Sequence, residues 1–225
     1  MVNSIAKERV QTELQKIAEQ GDASKGAFLL KDTGLLRHMG VDAPLLTSNI
    51  WNKVNSLADF IYLLSHNAMS QVKFYMNNMR GDTEIVNELN GLMIGMNTEP
   101  SDIPAINRSI ARNMLLSDKT MKSLESELLD DKLRVAAQEL LQGKYPKVVE
   151  ELAINGHDIM NSGLKGKDIG KMQKTLLINI YADKVRNTRE DLLNLLNQRK
   201  DDVKEGYGYG YFNDSESLKW DVNGE

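Results

Sequence analysis

Glycines and lysines alternate between residues 163 and 171, as Gly163, Lys165, Gly166, Lys167, Gly170 and Lys171. Just downstream, Ile169, Met172, Leu176, Leu177, Ile180 and Tyr181 recur at the i, i+3, i+4 spacing of an amphipathic helix. The Gly/Lys stretch therefore lies at a helix N-terminus, where the first amides lack intrahelical acceptors and the helix dipole is positive. Amides and ammonium groups so arranged suit a phosphate contact. On spacing alone a plainer reading is favoured: Gly163 and Gly166 supply turn conformations, and the lysines solvate a surface.

Other chemistry finds less support. His157-Asp158 is an HD dipeptide, and a metal phosphohydrolase would complete it with His38 or His66 and with Asp183. The default for Asp158 is a local hydrogen bond in a helix or loop. Asp130-Asp131 and Asp201-Asp202 read as surface charges. No Ser-His-Asp, Walker or Rossmann pattern is evident. A Gly-Ser dipeptide and a D-x-D pair, which would hold a nucleoside triphosphate and two metals, are absent from the sequence. The chain is therefore not expected to be catalytic alone, and no metal is expected on it.

The elements that must carry these residues are helical. The 225 residues are 41% hydrophobic and 27% charged with four prolines, a globular composition. The net charge of −4 argues against coating nucleic acid non-specifically. It hides an asymmetry: 163–200 carries nine Lys/Arg against four Asp/Glu, and 201–225 two against seven. Zero cysteines exclude disulfides. Without a signal peptide or membrane span, the expected location is cytoplasmic, with no membrane partner.

No segment alternates with period two, so the expected fold is all-α and multi-helical. Ser4 opens a first helix with Ile5, Val10, Leu14 and Ile17 on its apolar stripe, ended by Gly21-Asp22. A second starts near Ser24 and ends at Thr33-Gly34. After the break at Asp42-Ala43-Pro44, further helices are predicted over 45–68, 72–79, 82–96, 106–116, 119–129, 132–141 and 147–154, with Pro146 in the first turn of the last. Trp51 reads as core. Met69, Met76, Met79, Met93 and Met96 suit an adaptable core or a partner groove, the core being the commoner use. Two prolines mark 98–104 as a linker. The expected organisation is 1–100, 101–200 and a partly mobile tail, 201–225, whose Tyr/Gly run at 206–212 and Trp220 suit a protein contact better than base stacking.

Two segments carry a family resemblance. Asn155-Gly156, Asp158-Ile159-Met160, Gly163, Gly166-Lys167-Asp168-Ile169-Gly170 and Asn187-Thr188-Arg189-Glu190 with Leu192-Leu193 resemble the C-terminal tail of the bacterial-type tRNA nucleotidyltransferase (CCA-adding) and poly(A) polymerase family. Near the start, the E-R-x-x-x-E-L helix containing Glu8, Arg9, Glu13 and Leu14, followed by Thr33-Gly34-Leu35-Leu36, resembles that family's junction of neck and body. The resemblance implies neck-end, body and tail helices like the C-terminal part of class II tRNA nucleotidyltransferases. It implies tRNA-elbow binding through Gly163, Lys165, Gly166, Lys167, Gly170 and Lys171, with Arg186 and Arg189. Arg9 and Glu13 match the positions that brace the neck. The E-D-x-x-R neck motif and the catalytic head are missing, so Mg2+ and ATP or CTP are expected only through a separate head polypeptide of a split enzyme. The partners expected are tRNA and that head, with no DNA. The alternative is a nucleotidyltransferase-derived scaffold turned protein-binding adaptor, as in a phage or mobile element.

Overall fold

The computed structural model describes residues 7–38, 41, 45, 49–65, 83–205, 212–213 and 216–217. The expectations for Ser4, Ile5, the 42–44 break, His66, Met69, Met76, Met79, the 72–79 helix, Tyr207 to Tyr211 and Trp220 lie outside them, as does the side chain of His38. The fold is all-α, apart from two-residue strands that pair Phe212 with Ser217 and Asn213 with Glu216. The chain divides into two compact units, Met1–Pro100 with Asn113–Arg134, and Ser101–Arg112 with Val135–Glu225. No described helix is long and apolar enough to cross a membrane.

In the first unit, helix α1 (Lys7–Gln20) buries Leu14 and Ala18. The Asp22 carboxylate accepts the Lys25 amide at 3.0 Å and starts α2 (Ala23–Asp32). The hairpin is tight: a Cβ at Gly26 would overlap the Ile17 side chain. Gly34, at φ +74°, takes the left-handed turn that closes α2 and leads to α3 (Leu35–His38). Helix α4 (Leu57–Leu64) is buried at all eight positions, apolar apart from Asp59 and the Tyr62 hydroxyl, and it packs against α1 and α5 (Thr83–Met96).

The helix expected over 45–68 is instead a 3-10 turn, Asn49–Lys53, followed by α4. The Ser56 hydroxyl accepts the Asp59 amide at 3.1 Å, and Asp59 accepts the Asn55 amide at 3.2 Å. These side-chain acceptors replace the helical carbonyls and start the helix afresh. Trp51 is buried edge-on to Phe60, ring centroids 5.9 Å apart, so its core reading stands. The helix expected over 119–129 is likewise only a 3-10 turn, Lys122–Glu125. Buried Asp118, at the end of α6 (Pro104–Asp118), accepts the Ser123 amide and hydroxyl, both at 2.7 Å, and binds Thr120. Lys119 and Met121 adopt φ of +61° and +67° to allow it.

The second unit contains the remaining helices: most of α7 (Asp131–Leu141), then α8 (Gly156–Asn161), α9 (Lys167–Tyr181) and α10 (Arg189–Lys204). Its centre holds Arg108, 5% exposed. Arg108 donates to Glu139 at 2.6 Å, to Asp183 at 3.3 Å and to the Tyr181 carbonyl, and lies 4.2 Å over the Tyr145 ring. The helix expected over 147–154 is a 3-10 turn, Val149–Glu151, because other groups take its backbone. Lys147 donates its amide to the Glu151 carboxylate, and its carbonyl accepts Arg112 at 3.0 Å. Asn187 accepts the Ala153 amide and donates to the Glu151 carbonyl.

Candidate nucleic-acid interface

The 163–171 stretch is a loop entering α9, as its glycines require. Ser162 ends α8, Gly163 follows at φ +97°, Leu164 is fully buried, and Gly166 turns at φ +56° to start α9 without any side-chain cap. Leu164 thus fixes the loop by its middle, leaving Lys165 and Lys167 exposed on either side of Gly166. Neither lysine makes an ion pair among the described residues.

The amide cradle is smaller than bare helix geometry suggests. Asp168 donates its amide to the Lys165 carbonyl at 3.2 Å, and Ile169 to Gly166 at 3.3 Å. The Asp168 carboxylate sits in the first turn, where it favours the dipole itself and holds the Lys171 ammonium at 2.8 Å. Lys171 is therefore a paired cation. Lys167, Lys171 and Lys174 still share one helical face through their i, i+4, i+7 spacing. Gly170 is exposed with open space beside it, so packing does not demand glycine there.

The remaining predicted contacts are also paired. Arg186 Nε lies 3.2 Å from Asp191, although its side chain is 87% exposed. Arg189 forms a two-pronged pair with Asp158, at 2.9 and 2.5 Å. Asp158 is in turn the N3 residue of a capping box: the Asn155 side chain accepts the His157 and Asp158 amides, and Asp158 accepts the Asn155 amide. Arg189 first, then the Asn155 amide, hold the Asp158 carboxyl down at about 2. Thr188 caps α10 through the Asp191 amide at 3.3 Å. Much of the tail pattern that stands out in the sequence is thus an internal clasp between the starts of α8 and α10.

His157 hydrogen-bonds Asn161 through Nδ1 at 3.2 Å, while Asp183 belongs to the Arg108 and Tyr145 group. No group of three or more His, Asp or Glu residues is placed to hold a metal among the described residues. On the first unit, Arg9 is exposed, and Glu13 pairs with Lys16 at 2.9 Å.

Sequence reasoning missed the polar interior of that first unit. A cleft of about 390 Å³ there is lined by Glu19, Ser56, Glu84, Glu88, Lys122 and Glu125, among others. Glu88 is 5% exposed, and burial pushes its carboxyl up to about 7. Its position on the inner face of α5 was the available signal. Arg108 carried no such local cue, because its acceptors lie 31 to 75 residues away.

Residues 1–43 match a family described as the probable RNA and SrmB-binding site of polymerase A. No curated protein and no solved structure matches the chain. The match relates the N-terminal segment, with α1 and α2, to an RNA-binding region of a polymerase-A-type protein, and so supports RNA as a partner.

Proposed function

We propose that the chain binds tRNA as the non-catalytic part of a tRNA nucleotidyltransferase acting in 3′-end CCA addition or repair. The observation that carries this reading is the match of residues 1–43 to an RNA-binding region of polymerase A. The separate resemblance of 155–193 to the tail of the same family supports it. So do Lys165 and Lys167, exposed beside a helix N-terminus and in no ion pair among the described residues. In this reading Lys165 and Lys167 meet phosphates directly. Lys171 and Arg186 reinforce the field while retaining their carboxylate partners, and Gly163, Gly166 and Gly170 keep the backbone open to close approach. Arg9 and Glu13 face a separate catalytic head, which brings Mg2+ and ATP or CTP.

The test is titration of unfractionated tRNA into wild type and the double variant Lys165→Glu/Lys167→Glu over a range of salt. Affinity should fall, and the slope of log K on log[salt] should shrink by roughly 1.5 to 2, about one for each phosphate that a lysine no longer neutralises. Unchanged affinity in a folded double variant defeats the site.

A second reading, a protein-binding adaptor, is favoured by the appearance of SrmB beside RNA in the matched description. Gentle purification that recovers a specific protein and no RNA supports the adaptor. Recovery of tRNA together with a small protein bearing Gly-Ser and D-x-D supports the split enzyme.

A further inference from the structure

We propose that Asp158 and Arg189 are positioning residues for RNA binding, holding the 162–167 loop in place rather than touching RNA. The inference rests on the reading of that loop as an RNA contact.

Helix α8 has six residues, too few to persist on hydrogen bonding of its own. Its place depends on buried Ile159, on the Asn155 cap, and on Asp158, which ties its first turn to α10. One carboxylate oxygen accepts the Asn155 amide at 3.0 Å, and both oxygens receive Arg189, the first residue of α10. At its other end α8 runs through Ser162 and Gly163 directly into the loop bearing Lys165. Releasing the start of α8 therefore removes one anchor upstream of the loop and leaves it held by buried Ile159 and Leu164 and by the start of α9. The same geometry occupies Arg189, 60% exposed, with a carboxylate only 12% exposed, so that its charge is already met before RNA arrives.

Charge and position predict opposite outcomes. If Asp158 were only a surface charge, its removal near a basic loop would tighten RNA binding. If it positions the loop, removal weakens binding, because two lysines must be ordered when RNA arrives; that is roughly a tenfold loss.

The full-length chain is titrated with unfractionated tRNA at several salt concentrations, as wild type, Asp158→Ala, Arg189→Ala, the charge swap Asp158→Arg/Arg189→Asp, and Lys165→Glu/Lys167→Glu. Circular dichroism confirms that each is folded. Both single variants should bind more weakly with the wild-type salt slope, and the swap, which restores the ion pair but leaves the Asn155 amide without its acceptor, should regain part of the loss. Tighter or unchanged binding by Asp158→Ala, with weakened Lys165→Glu/Lys167→Glu, overturns the positioning role and spares the loop. A reduced salt slope in Arg189→Ala also overturns it, by making Arg189 a direct phosphate ligand. Unchanged binding by Lys165→Glu/Lys167→Glu sinks the reading of the loop on which the inference stands.

Discussion

The buried carboxylates of the first unit and the arginine-bound ones of the second are held in different ways. In the first, Asp59, Glu88 and Asp118 are buried, and Asp59 and Asp118 are satisfied by serine or threonine hydroxyls and backbone amides. In the second, Glu139, Asp183 and Asp158 are each held by an arginine. At Asp59 and Glu88 burial removes more hydration than their partners return, so the proton is held more tightly. A cation beside a carboxylate does the reverse. Burial accordingly raises Asp59 and Glu88, and Arg189 lowers Asp158. Charge of one sign thus becomes two different pH responses within one chain.

The strongest way to break the contrast is Arg108→Met. It takes the guanidinium from the Tyr181 carbonyl and from Glu139, while exposed Asp183 keeps the Tyr145 hydroxyl, and should cost about 1.5–3 kcal/mol in urea unfolding. Arg108→Met/Glu139→Gln should recover part of that loss; no recovery would mean that packing over Tyr145 matters more than charge.

Glu88→Gln sharpens the comparison from the other side. Because the folded-state value of Glu88 lies above the unfolded one, its contribution is greatest below pH about 4.5 and is lost as pH rises through about 7. The glutamine variant should flatten this slope, by about 2 kcal/mol once solvent in the cleft is allowed for. Hydrogen exchange should place the change on α4 and α5.

Asp158→Asn should act in the opposite window. The native pair stabilises above the ordinary carboxylate value near 4, and that contribution is lost as pH falls toward about 2. Exchange at α8 amides should rise earlier on acidification in wild type than at α4 amides, and the variant should show that exposure already at neutral pH. Smallest of all, Lys171→Gln should weaken tRNA binding less than Lys167→Gln, since Lys171 already shares its charge with Asp168. Equal losses would show that the Asp168 pair opens at no cost when RNA binds.

The helices at 7–20, 23–32, 83–96, 104–118, 131–141 and 167–181 are legible because their apolar residues repeat every three or four positions. Three expected helices fail where a side chain captures backbone groups that a helix would have used: Ser56 with Asp59, Asp118 with Ser123, and Asn187 with Glu151 and Ala153. Hydrophobic spacing is blind to such competition, and Asn187 acts from more than 30 residues away. The candidate interface is legible in the same partial way. Spacing located the loop and its lysines, but not which cations already have partners.

By itself the sequence determined an all-helical protein, a glycine-hinged loop entering a basic helix, and a polarity of charge from 163 to 225. Each is encoded within a few adjacent residues, where propensity and periodicity act. The tertiary structure alone decided that Arg108 and Glu88 are buried, and that Asp158 and Arg189 form one clasp. Those outcomes depend on burial and on partners 31 to 75 residues apart, which meet only when the chain folds.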